Sequence, residues 1–319
     1  MIFSRLLSFL RGGLFGRRRY EEDFIKRIEK GDIEYILNVG VPRVEAPPTP
    51  GPQPWKELNL IATGFETTSN ILRDPEALMY ILTATDRQGE PLEVKGTGIE
   101  LLRTAVNYTR EHPNNIYYFE GVQGGIETRM LAYNGLVSGI YFSVNNVEYS
   151  GLRAVDKLGE FYFDAMPLWA TRVKDELAKW SDEKLSVYVR GLDHQHMYLV
   201  NTLNSLYRST VIGESEKVLN TILKRLVDYT KFHFRSEEIL MDKYNYPQDK
   251  FLRHQREHNA FVKTVTRFKE KYDAGEADLT LDVFKFLATW IINHVAGTDR
   301  DYGLYFLQIG VANKKPVHN

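Results

Sequence analysis

Cysteine is absent from all 319 residues. That gap excludes disulfides, thiolate metal sites and cysteine nucleophiles, so any metal must be held by His, Asp, Glu or carbonyl oxygens. It also fits a cytoplasmic protein. An excess of either charge is missing too. Lys and Arg number 41 against 42 Asp and Glu, a formal charge of -1, which gives no electrostatic case for nucleic acid as a partner of the whole chain. No apolar run approaches the roughly 18 residues of a membrane-spanning helix. Residues 1–19 hold no acid, but Arg5, Arg11 and Arg17-Arg18-Arg19 interrupt their apolar stretches and no small-residue cleavage site follows. They are read as a terminal helix rather than a secretory signal, with peripheral contact to a membrane surface as the alternative.

What is present starts with enough apolar material for sizeable cores, 43% of residues, over a length that suggests about two domains. Five of the twelve prolines fall between Ala46 and Pro54, a run that favours polyproline geometry and reads as a linker. Before it lies a short helical segment. After it, Leu78–Thr85 reads as a strand ending in a turn, Ile99–Glu111 as a helix, and Asn115–Glu120, Ile126–Tyr133 and Val137–Val144 as strands joined by Gly-rich turns. That order predicts a small α+β module with an antiparallel sheet. In element order alone it resembles roadblock-type or profilin-like regulatory domains. Leu152, Val155, Leu158, Phe161, Tyr162, Ala165, Leu168 and Trp169 recur at steps of three and four, which predicts a long helix over 150–180, kinked or ended at Pro167.

Four amphipathic segments follow, at about 184–209, 215–242, 249–273 and 280–297. Short connections between long helices imply antiparallel neighbours, hence an up-down four-helix bundle. The expected plan is thus an N-terminal helical segment (1–45), a linker (46–54), an α+β module (55–150), a connecting helix (151–183), an all-α bundle (184–305) and a tail (306–319).

The bundle segments carry the chemistry. His233 and Glu237 are spaced i, i+4, as are His254 and His258, so each pair shares one helix face. His196 lies on the first segment; His294 and Asp299 lie near the end of the fourth. Their five-residue gap does not align on a regular α-helix, so joint ligation requires a π-type widening or a helix end between them. Five imidazoles and two carboxylates suffice for two metals with bridging carboxylates, and without sulfur they suit iron or manganese better than zinc. A lone His-x-x-x-His on a helix is commonplace. Two aligned pairs with a His on each remaining helix are hard to explain as packing, because buried polar groups without partners are penalised.

These residues also resemble a known family over about 180–305. Leu192-Asp-His-Gln-His196 with Leu199 and Asn204 is similar to the first-helix signature of bacterial hemerythrins. His233-Phe-Arg-Ser-Glu-Glu238, Met241, Tyr246-Pro247 and His254-Gln-Arg-Glu-His258 with Phe261 resemble its central motif. Trp290-Ile-Ile-Asn-His294 to Asp299 and Tyr302 resemble its closing motif. The resemblance implies one iron at His254, His258 and His294, another at His196 and His233 with a position open for dioxygen, and Glu237 and Asp299 bridging. It implies reversible binding of dioxygen in a dry pocket, for which Leu199, Leu203, Leu240, Trp290, Ile291 and Val295 are candidates. Glu238 is read as solvent-facing, with support of a ligand as the alternative, and His194 as exposed. His112 and His318 have no partner by spacing.

Oxygen sensing or storage is the function expected, with the N-terminal module as a regulatory or interaction domain that dimerises or docks a protein partner. The alternatives are a di-iron enzyme that reduces peroxide or nitric oxide, and an iron-storage or interaction protein. Oxidative di-iron bundles use more carboxylates, so five histidines to two acids favour binding over turnover.

Overall fold

The computed structural model describes residues 61–312 apart from 63, 83–84, 88–89 and 276–279. The N-terminal helical segment, the linker, residues 1–19 with their membrane alternative, and His318 lie outside the described residues. The chain divides into two compact units, one running through Leu177 and including Tyr207–Val218, the other formed by Ala178–Leu206 and Leu219 onward. Among the described residues, no helix is long and apolar enough to cross a membrane.

The first unit opens with α1 (Phe65–Arg73) and α2 (Pro75–Leu82), then β1 (Thr85–Arg87), β2 (Leu92–Thr97), α3 (Ile99–Glu111), β3 (Ile116–Gln123), β4 (Ile126–Tyr133), β5 (Leu136–Val144), β6 (Val147–Ser150), α4 (Gly151–Gly159) and β7 (Tyr162–Val173). The seven strands described form one sheet in the order β1-β7-β3-β4-β5-β6, with β2 also paired to β7, and every ladder is antiparallel. The expected α+β module is therefore present. Its hairpins turn on Gly124-Gly125, Asn134-Gly135 and Asn145-Asn146, all at positive φ. Left-handed pairs of this kind match the twist of the flanking strands. Tyr117, Phe119, Met130, Ile140, Phe142 and Leu168 form an apolar core with Leu101, Leu102 and Val106 of α3 and Val155 and Leu158 of α4.

Two expectations need correction here. Leu78–Thr85 is not a strand: Leu78–Leu82 belongs to α2. Pro75 opens that helix, where its missing N–H costs nothing, and the Asp74 carboxylate accepts the Ala77 N–H at 2.9 Å. A short apolar run fits either element, and the start signal decides. Likewise, residues 151–183 are not one connecting helix. After α4, β7 takes Tyr162–Val173, with Met166, Leu168 and Ala170 buried at alternate positions. Period-two burial had been masked by apolar residues that also fall at helical steps. Pro167 is tolerated because the β3 ladder has already ended at Gly121–Leu168, so this stretch pairs with β2 alone.

The helices that follow are the short α5 (Asp182–Leu185), α6 (Arg190–Val211), α7 (Ser215–Lys243), α8 (Gln248–Asp273), α9 (Thr280–Asn293), a π-helical turn over His294–Thr298, and α10 (Asp299–Gln308). All belong to the second unit except the end of α6 from Tyr207 and the start of α7 through Val218. These are the four expected helices, the last continued through the π turn as far as Gln308. The segment before α6 is tied down twice. Asp193 accepts the Ser186 hydroxyl and the Val187 N–H, both at 2.7 Å. Asn204 exchanges two hydrogen bonds with the Ala178 backbone.

Candidate metal centre

The seven candidate ligands reach the bundle interior from all four long helical segments. His196 comes from α6, His233 and Glu237 from α7, His254 and His258 from α8, and His294 and Asp299 from the two ends of the π turn. The wider π turn lets residues five apart face the same way. All seven are at most 2% exposed, so their polar atoms must find partners among themselves or in a bound group.

They converge into two groups whose ligand atoms lie within 4.8 Å of one another, Glu237, His254, His258, His294 and Asp299 in one and His196, His233 and Glu237 in the other. The carboxylates divide their oxygens between these groups. Glu237 turns Oε1 toward His196 at 3.0 Å and His233 at 3.5 Å, and Oε2 toward His258 at 3.1 Å and His254 at 3.6 Å. Asp299 turns Oδ2 toward His196 at 3.1 Å, and Oδ1 toward His294 at 3.0 Å and His254 at 3.4 Å. One carboxylate oxygen therefore faces each side, which is what a bridge between two cations needs.

The hydrogen-bond pattern tests the fit to metal. His258 Nε2 and His294 Nε2 face each other at 3.1 Å. Their Nδ1 atoms face carboxylates, Glu238 at 2.9 Å and Glu257 at 2.8 Å. A carboxylate accepts only, so each neutral ring keeps its proton on Nδ1 and aims a lone pair from Nε2. Two lone pairs pointed together repel unless a cation or a shared proton lies between them. His233 Nε2, His254 Nε2, Glu237 Oε2 and both Asp299 oxygens are buried without a hydrogen bond. Orphaned buried acceptors from His, Glu and Asp fit a pair of metal ions well.

Electrostatics agree. Burial pushes the His196 imidazole down, but Asp299 and Glu237 outweigh burial and lift its pKa to about 10. His294 rises to about 10 by the same balance, with Asp299 and Glu257 against it. His233 falls to about 4, driven first by burial. Burial raises Glu237 and Asp299, yet the surrounding imidazoles hold both well below the usual carboxylate range. The centre therefore keeps its negative charge and attracts cations or protons.

The rings are fixed by stacking. Phe234 lies 3.8 Å from His258 between centroids, and Trp290 lies 4.2 Å from His294. Leu199, Leu203, Trp290, Ile291 and Val295 are all buried. Leu240 is only partly buried and packs with Val187, Met241 and Tyr302. His194 is exposed, and exposed His112 stacks on Tyr108 outside the site.

Several contributors were not evident from spacing. Glu238 is not merely solvent-facing: it accepts the His258 Nδ1–H, and its side chain is 27% exposed. Glu257 does the same for His294, and Gln195 faces His233 Nδ1 at 2.9 Å. The Tyr302 hydroxyl donates to Glu237 Oε1 at 2.6 Å. Only adjacency to a ligand in sequence marks Gln195, Glu238 and Glu257, and adjacency does not say which neighbouring helix a side chain meets.

Comparison with known proteins agrees with this geometry. Residues 187–303 match the family described as the hemerythrin HHE cation binding domain. A bacteriohemerythrin from Methylococcus capsulatus is 31% identical over 127 residues, 40% of this chain and 95% of that protein. One from Stenotrophomonas maltophilia is 32% identical over 126 residues, 40% of this chain and 79% of that protein. A crystal structure of wild-type hemerythrin is 30% identical, covering 40% of this chain and 96% of its own, at a TM-score of 0.37. Through its C-terminal helical unit, this chain belongs to the hemerythrin family.

Proposed function

We propose that this protein holds a pair of non-haem iron ions and binds dioxygen there reversibly, for oxygen sensing or storage. The observation that carries this reading is the convergence of five imidazoles and two carboxylates, with one oxygen of each carboxylate turned to each histidine group. His254, His258 and His294 would hold one iron and His196 and His233 the other, with Glu237 and Asp299 shared. Iron is favoured by nitrogen and oxygen donors without sulfur. Bound iron would supply the electrons that dioxygen chemistry requires.

The chain does the rest. Its two-histidine group has one protein donor fewer, which leaves room for an external ligand. The buried Leu199, Leu203, Trp290, Ile291 and Val295 would make the surroundings of the centre apolar and keep water out. Tyr302 holds its proton against Glu237 Oε1 and so keeps the carboxylate in one orientation. The α+β module acts as the regulatory or interaction part, by dimerising or by docking a protein.

The test is the visible spectrum of anaerobically reduced, iron-loaded protein before oxygen, with oxygen and after its removal. A charge-transfer band that appears and then fades establishes reversible binding. A single irreversible change, or many turnovers of peroxide or nitric oxide, replaces this reading with that of an enzyme. In a second test, deletion of residues 1–179 should leave oxygen binding intact and abolish a downstream interaction; loss of iron on deletion counts against the assignment.

A further inference from the structure

The five candidate ligand histidines differ in what holds their outer nitrogen. His258 Nδ1 faces the Glu238 carboxylate at 2.9 Å and His294 Nδ1 faces that of Glu257 at 2.8 Å. His233 Nδ1 meets only a neutral amide, Gln195 Oε1 at 2.9 Å. The Nδ1 atoms of His196 and His254 are buried without a hydrogen-bond partner among the described residues. Both carboxylate partners thus serve the three-histidine group, and the two-histidine group has none.

A carboxylate that accepts an imidazole N–H draws the proton toward itself and leaves the ring a stronger, more anionic donor, whereas a neutral amide does this far less. The effect is strongest where solvent is scarce, and Glu257 is only 16% exposed. Each carboxylate is also held in place. Glu238 accepts from Gln255 at 3.2 Å and Glu257 from Arg253 at 3.3 Å. Phe234 and Trp290 stack on the two rings concerned, so the Nδ1–H direction is fixed.

We propose that Glu238 and Glu257 are positioning residues that make the metal at His254, His258 and His294 the more easily oxidised and more tightly held of the pair. The two metals are then electronically unequal before any external ligand arrives, and in the half-oxidised protein the extra positive charge resides on the three-histidine side. This rests on the di-iron reading above and deepens it.

The test uses the full chain loaded with iron, in wild type and in Glu238→Gln, Glu257→Gln and Gln195→Glu. The Glu→Gln changes keep shape and an acceptor oxygen while removing the charge, so a purely structural role leaves potentials unmoved. Iron per chain is measured first, then the reduction potentials by anaerobic titration. Wild type should hold two irons and titrate in two steps. Each Glu→Gln change should raise the lower potential by about a tenfold change in the oxidised-to-reduced ratio, 59 mV for one electron. Each should also weaken retention of one iron by roughly tenfold. Gln195→Glu should instead lower the upper potential. Two irons with potentials unmoved in both Glu→Gln variants overturn this inference and leave the di-iron reading standing. A wild type that holds fewer than two irons overturns the reading and the inference with it.

Discussion

The two units of this chain solve the problem of an interior in opposite ways. The sheet unit fills its centre with Phe119, Met130, Ile140, Phe142 and Leu168, none of which carries a polar side-chain atom. Burial of such side chains stabilises by about 1.5–3 kcal/mol each and requires nothing from outside the chain. The bundle instead commits five imidazoles and two carboxylates to positions at most 2% exposed, where each unpaired charge costs several kcal/mol. The first interior is complete as folded. The second is a receptor whose lone pairs need a cation, so stability and function are coupled there and uncoupled in the sheet unit.

Metal removal should expose that difference most strongly. An ion present at a thousandfold its dissociation constant stabilises the state that binds it by roughly 4 kcal/mol, and two ions double this. Chelation should therefore cost α6–α10 most of their hydrogen-exchange protection while β3–β5 keep theirs. Equal loss in both units would break the comparison.

The reverse experiment damages the sheet unit alone. Phe119 is fully buried, and Phe119→Ala should cost about 3–5 kcal/mol. Iron content per folded chain should stay at the wild-type value. A fall in iron measured on the folded fraction would show that the sheet unit supports the metal centre.

The same contrast explains what could be read from sequence. Metal ligation demands particular residue types at particular spacings, so all seven candidate ligands, and the need for either a π widening or a helix end between His294 and Asp299, are visible in the chain itself. Packing demands only apolar character. Residues 162–173 were therefore legible as apolar but not as a strand, and Leu78–Leu82 fitted strand as well as helix. The partners behind the histidines escaped for a third reason. Glu238 and Glu257 meet His258 and His294 across helices, so their roles depend on helix rotation, which spacing within one helix does not report.

Alkaline pH should separate the units next. In the metal-free protein His196 and His294 have pKa values raised to about 10 by facing carboxylates. A folded-state pKa above the unfolded value of about 6.5 means stability fully present below that value and lost as pH rises toward 10. Metal-free bundle stability should therefore fall between pH 7 and 10, by at most about 1.4 kcal/mol per pH unit for each proton released. The sheet unit should show the shallower slope over that range: burial pushes the Tyr117 and Tyr141 hydroxyls upward from 10, away from that window, and the Glu66 carboxyl upward from 4.5. Iron should erase the bundle's slope, since metal displaces those protons. Hydrogen exchange at pH 7 and 9.5, with and without metal, reads all four cases.

The mildest comparison uses one methyl group in each unit. A Cβ on Gly139 would lie 2.8 Å from the Ser69 nitrogen and from the Thr68 carbonyl carbon, while one on Gly303 would lie 2.7 Å from Val187 Cα and 2.8 Å from its oxygen. Alanine gains up to about 1 kcal/mol over glycine within a helix, which alone would make Gly303→Ala stabilising. The obstructing atoms are backbone, however, and cannot rotate away, so overpacking at about 1–3 kcal/mol should win at both sites. Similar thermal losses are thus expected, but with different consequences for metal. Gly303 lies in α10, which begins with Asp299 and carries Tyr302, and it packs on the segment that Asp193 holds ahead of His196. Gly303→Ala should therefore loosen iron as well as the fold, seen as faster loss to a chelator, whereas Gly139→Ala should lose stability with iron release unchanged. If both variants released iron at the wild-type rate, the metal centre would be insulated from the packing of α10, and its geometry would rest on α6–α9 and the π turn alone.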